Sequence, residues 1–85
     1  MWLMDEVARL RMQIRAVLVV YRAEMARLSR WNLSPASREA FATSLRTRSF
    51  QVLEGARAAL DGDAPEHADL VREIEDARAE ISGRS

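Results

Sequence analysis

Thirteen arginines, thirteen acids, one histidine and no cysteine are the residues from which this chain could build chemistry. With His67 as the lone histidine, zinc and di-iron constellations that need several histidines are excluded, as is the twice-repeated Glu-x-x-His pattern of carboxylate bundles. Asp63 and His67 share a helical face, but two ligands do not make a metal site. Without cysteine there is no thiolate nucleophile. The sequence holds no Gly-x-Ser-x-Gly elbow, and a histidine-based triad would have one candidate only. The reading is a protein without catalysis, metal or cofactor.

What remains is recognition chemistry. Phe50 stands well off the apolar face of its helix, with Arg46 one turn before it and Arg57 two turns after. An aromatic flanked by arginines has the composition of an interface hot spot or of a base-stacking platform. It also fits a core residue covered by another helix or by a twin subunit, and on each reading Phe50 is expected not to be bare. The stretch Thr43 to Ser49 has an anion-binding composition but lacks the glycines and helix N-terminus of a phosphate cradle. Trp31 is placed to staple a hairpin corner and Trp2 to clamp an end.

Charge is segregated beneath a net charge of zero. Residues 1–60 carry ten arginines against five acids, and residues 61–85 carry three against eight, so the two parts differ in sign. Glu66, Asp69, Glu73, Asp76 and Glu80 follow steps of three and four and form one acidic stripe, while Arg11, Arg15 and Arg22 form a basic one. These stripes either pair within the bundle, face solvent, or meet a partner of opposite charge. Arginine to the exclusion of lysine accompanies abundant alanine, which fits GC-rich codon usage as well as any binding role.

Helices must position these groups. From Trp2 to Asn32 there is no proline or glycine, and Leu3, Val7, Leu10, Ile14, Val17, Tyr21 and Leu28 recur at helical spacing, interrupted at Glu24. A second stripe of smaller residues, Ala8, Met12, Ala16, Val19, Ala23 and Ala26, lies nearly opposite. The first helix therefore has two faces to bury. Ser34 followed by Pro35 is a helix start, the serine capping free amides and the proline at the first helical position. The second helix is expected over about 35–61, with Phe41, Leu45, Val52, Leu53, Ala56 and Leu60 as its apolar face and Gly62 as a left-handed stop. Asp63 as cap, with Pro65 and Glu66 after it, opens a third helix over about 64–82 that packs His67, Leu70, Val71, Ile74, Ala77 and Ile81 and ends at Gly83.

The expected fold is all-α: one domain over residues 1–85, a long antiparallel helix hairpin with a shorter third helix, completing a helical bundle by dimerisation. An 85-residue chain buries only about 60 to 65% of its unfolded surface, so its stability margin alone is thin. Without disulfides or metal, a partner subunit is the remaining support. The longest apolar run, Ala16 to Tyr21, is far short of the roughly 20 residues a membrane span needs. No secretory signal is read at the start, and a cytoplasmic location without membrane partners is expected.

In outline, a long first helix with two shorter ones and dimerisation resembles the helical chorismate mutases, whose sites use arginines with a lysine; this chain has no lysine. The Trp31-Asn32-Leu33 corner resembles the Trp-x-Gly turn of small secreted helical hairpin proteins, with leucine in place of the glycine. Neither likeness extends to a motif that assigns the chain. The functional expectation is a small protein–protein interaction module, a regulator, adaptor or inhibitor, acting as a homodimer or on a protein partner. Its contact energy is expected from Leu10, Ile14, Val17, Leu18 and Tyr21, with Phe50 and the charged stripes supplying specificity. A second reading is a nucleic-acid-binding regulator using Arg11, Arg15 and Arg22, or Arg46, Phe50 and Arg57, with the acidic third helix folded back as competitor. A third is a small dimeric helical enzyme.

Overall fold

The computed structural model describes residues 5–83. Three helices follow in order: α1 over Glu6–Arg30, α2 over Pro35–Ala58 and, after a short 3-10 turn over Pro65–His67, α3 over Ala68–Ser82. Among the described residues there is no strand, and the fold is all-α. The expectations for Trp2 and Leu3 lie outside the described residues.

Each boundary has a local cause. The Asp5 carboxylate accepts the Val7 amide at 2.9 Å and satisfies one of the free donors at the start of α1. At the start of α2, Ser34 Oγ accepts the Ser37 amide at 3.1 Å, and Pro35 takes the first position, where its missing donor costs nothing. Gly83 ends α3 in the left-handed region, with φ 79°, a conformation that glycine adopts without steric cost.

The junction between α2 and α3 departs from expectation. Gly62 is not a left-handed stop, since Gly83 alone among the described glycines has positive φ. Instead α2 ends three residues short of 61, at Ala58, and tightens through amide bonds from Ala59 to Ala56 and from Leu60 to Arg57. Leu60 can then turn inward and be buried. Asp63 caps nothing; its own amide donates to the Asp61 carboxylate at 3.0 Å. His67 is not part of the packing face of α3: its Nδ1 accepts the Asp61 amide at 2.8 Å and braces the turn.

A four-residue link makes α1 and α2 an antiparallel hairpin, and α3 lies along one side of it. The core joins Leu10, Ile14 and Tyr21 of α1, Leu45, Leu53 and Ala56 of α2, Leu60, and Leu70, Ile74, Ala77 and Ile81 of α3. On α2 the buried positions are Ala42, Leu45, Ser49, Leu53 and Ala56, spaced three and four apart. Phe41 therefore falls outside the core, half exposed, and Val52 is only half-buried; both departures follow from the register that Leu45 and Leu53 set. Tyr21 sends its hydroxyl to the Ile81 carbonyl at 3.2 Å, one of the last-turn carbonyls that α3 itself leaves without a partner. Residues 11 and 73 meet at one end of this seam and 21 and 81 further along it, so α3 runs parallel to α1.

The molecule measures 49 × 30 × 17 Å, with a radius of gyration of 15.0 Å against about 12 Å for a compact domain of this length. It exposes 6108 Å², where a folded monomer of 9.6 kDa typically exposes about 5,100 Å². The hairpin is covered on one side and bare on the other.

Leu53 and Leu70 are fully buried. Leu70→Ala is predicted to lower unfolding free energy by about 2–5 kcal/mol in urea titrations, because the lost contacts and the cavity left behind add together.

Candidate protein-docking face

Most of the charged residues singled out by spacing meet inside the chain. Arg11 Nε lies 3.0 Å and Arg15 Nε 3.5 Å from the two oxygens of Glu73, so one carboxylate holds two guanidiniums. One heptad further along α3, Glu80 takes two hydrogen bonds from Arg22, each 2.6 Å. These five residues, Arg11, Arg15, Arg22, Glu73 and Glu80, line the α1–α3 seam and engage one another. Glu66, Asp69 and Asp76 stay exposed on the outer margin of that stripe. Arg46 lies 3.9 Å from Glu39 on its own helix, and Arg57 is exposed near the turn at Gly62.

The hydrogen bonds from Arg22 hold the Glu80 carboxyl below its ordinary range, outweighing the opposing effect of burial. Arg22 is raised in turn, chiefly through the same hydrogen bonds. Pairs this exposed to water are screened by it and add little adhesion. Their role is orientation more than adhesion.

Phe50 is half-buried against the core, as the expectation that it is not bare requires. The cation over its ring comes from α3, where the Arg78 guanidinium sits 5.9 Å from the ring centre. The sequence neighbours Arg46 and Arg57 were the expected flanks; Arg78 was missed because it is 28 residues away in sequence and only tertiary packing brings it there. At the hairpin corner Trp31 meets Phe41 edge-on, with centroids 6.0 Å apart, and carries the Arg27 guanidinium at 5.1 Å. The Arg38 side chain donates to the Trp31 carbonyl at 2.9 Å and closes the corner. Thr43 to Ser49 is mid-helix, and Ser49 is buried, so this stretch offers no phosphate cradle. Among the described residues no group of three or more histidine, aspartate or glutamate side chains could hold a metal ion.

The apolar contact residues also require correction. Leu10, Ile14 and Tyr21 are 2%, 1% and 8% exposed, so they form the chain's own core and cannot present themselves to a partner. Val17 and Leu18 are half-buried against that core. The apolar surface left open is the opposite stripe of α1: Met12, Val19 and Val20 are 59%, 63% and 56% exposed, with Ala16 and Ala23 exposed beside them. Single exposed apolar residues are ordinary, whereas these form a contiguous set on one helix face. That face continues into a groove of about 560 Å³ between α1 and α2, with Ala16, Val17 and Val20 on one wall and Leu45 and Val52 on the other. Gln13, Glu24, Arg48 and Ser49 give it a polar margin. It lies on the flank of the hairpin that α3 does not cover. Among the described residues no helix is long and apolar enough to cross a membrane.

Replacing Glu80 by glutamine tests the seam. The folded-state carboxyl titrates below its ordinary value of 4.5, so its contribution is fully present above that value and fades as pH falls through the lowered one. Glu80→Gln is therefore predicted to melt below the parent at pH 7, with the gap closing in acid and shrinking in 1 M salt as screening takes hold. A gap independent of pH would remove Glu80 from the seam's electrostatics. No protein-family model, curated protein or solved structure matches this chain.

Proposed function

We propose that this chain is a small non-enzymatic protein–protein interaction module that works through helix–helix association. The observation that carries this reading is the open apolar face of α1 with the adjoining α1–α2 groove, a surface shaped to receive one more helix. Both ends of the hairpin are closed by local contacts, at Trp31 and at His67, so the open flank is where further burial has most to add. The polar margin of Gln13, Glu24 and Arg48 fits the usual anatomy of an apolar centre with a polar rim. A cytoplasmic setting and a regulator, adaptor or inhibitor role go with this proposal.

The nucleic-acid reading is weakened by the engagement of Arg11, Arg15 and Arg22 with Glu73 and Glu80 and by the net charge of zero. Phosphates would have to compete with these carboxylates for the same guanidiniums.

Val20→Glu is the direct test. Val20 lines the groove and is mostly exposed, so the variant is expected to keep the parent's helicity and its stability within about 0.5 kcal/mol. Its association with whichever protein the parent binds, itself or another reconstituted from purified components, is expected to be lost. Undiminished association of a folded Val20→Glu chain would sink the reading, and so would salt-sensitive retention of DNA or RNA as its only binding.

A further inference from the structure

We propose that the partner is a second copy of this chain, docked antiparallel along α1 about a two-fold axis that passes midway between Ala16 and Val19. This inference rests on the interaction-module reading and names its occupant.

The size pattern of the exposed face sets the direction. Met12, Ala16, Val19 and Ala23 are all exposed and follow steps of four, three and four, which is the spacing of a two-helix seam. Turned end for end about the midpoint, Met12 of one copy falls opposite Ala23 of the other, and Ala16 opposite Val19. Every large side chain then faces a small one, the arrangement that fills a helix–helix seam without voids. A parallel pairing in register would set methionine on methionine and alanine on alanine, crowding one layer and hollowing the next. The antiparallel operation is its own inverse, so both copies use the same patch, as a closed two-fold contact requires.

Charge selects the same direction. The first turn of α1 is acidic at Glu6 and the last is basic at Arg27 and Arg30. Antiparallel docking brings Asp5 of one copy opposite Arg30 of the other and sets opposed helix dipoles side by side. Parallel docking would place Arg9, Arg27 and Arg30 next to their own twins. Two like-charge approaches remain in the antiparallel arrangement, Arg15 of one copy beside Arg22 of the other and Arg9 beside Arg27. Each of these arginines is already held by a carboxylate of its own chain, Glu73, Glu80, Glu6 and Glu24 respectively, so the approaches are between compensated pairs. The zero net charge of the chain leaves no overall repulsion between copies.

The chain as a whole has exposed surface to spare for such a contact. The chain exposes 6108 Å², about 1,000 Å² more than a monomer of its mass typically does, while a standard interface covers about 800 Å² per partner.

The experiment is sedimentation equilibrium over a concentration series, combined with disulfide mapping, which the absence of cysteine makes clean. The wild-type chain is expected to sediment as a dimer. Val19→Glu, at an exposed position, is expected to keep its helicity and weaken dimerisation by about 30-fold or more. Mixed Met12→Cys and Ala23→Cys chains are expected to cross-link to each other on mild oxidation. Met12→Cys alone is not, since the two positions would lie about 17 Å apart along the axis, beyond disulfide reach. A folded wild-type chain that stays monomeric across the series overturns self-pairing, and leaves the docking reading to stand or fall on Val20→Glu with a foreign partner. A Met12→Cys homodimer cross-link overturns the antiparallel direction. A dimer indifferent to Val19→Glu overturns the face itself, and the cross-linking pattern decides the matter if that variant fails to fold.

Discussion

Burial of Leu70, Ile74, Ala77 and Ile81 against one side of the α1–α2 hairpin is the contact on which the rest of this molecule depends. Two helices alone cannot enclose a core, because each buries one stripe and leaves the seam between them open on both sides. The third helix closes one of those sides. Each fully buried leucine or isoleucine contributes about 1.5–3 kcal/mol relative to an exposed one, so this seam is the largest stabilising element that is not local to the hairpin. With 15 residues against 25 and 24, α3 covers a single flank, and the open flank is the direct consequence.

Apolar packing along α3 sets the depth of contact but tolerates rotation about the helix axis. The rotation is constrained by groups that act at defined points: Glu73 between Arg11 and Arg15, Glu80 against Arg22, and the Tyr21 hydroxyl on the Ile81 carbonyl. On its other margin α3 sets Arg78 over Phe50. None of these is strong alone, yet together they engage both edges of the helix and leave it one seating. Three arginines of α1 are thereby engaged with carboxylates of α3.

The exposed apolar stripe of α1 also accounts for the shape. A slab 17 Å thick has no room for a closed three-layer core, and its radius of gyration exceeds that of a compact domain. The two faces of α1 thus have different surroundings: Leu10, Ile14 and Tyr21 hold the fold together, while Met12, Ala16, Val19 and Val20 stay exposed. The small residues among the latter allow another helix to approach closely, toward the 8 Å end of the usual range of about 8–10 Å.

Much of the fold was legible in the sequence because it rests on local physics. The 3.6-residue periodicity of the three segments, the Ser34–Pro35 start and the Gly83 stop follow from backbone hydrogen-bonding needs that each segment meets by itself. The two faces of α1, and the complementary charges of the first and third helices, were also readable from spacing. Spacing could not say which face α3 would take, because both stripes of α1 satisfy the same helical period. The choice fell to the larger side chains, which bury more area, and it moved Leu10, Ile14 and Tyr21 from the expected interface into the core. The α2–α3 junction was unreadable for a related reason. Whether α2 stops at Ala58 or runs to Asp61 depends on where Leu60 can reach the core, which residues distant in sequence decide, and on His67, six residues on, accepting the Asp61 amide. The sequence by itself determined the three helices, the Ser34 cap, the Gly83 stop and the residues able to pair; the tertiary structure decided which face is spent on folding and which is left, because burial energy depends on what a side chain meets and not on its position along the chain.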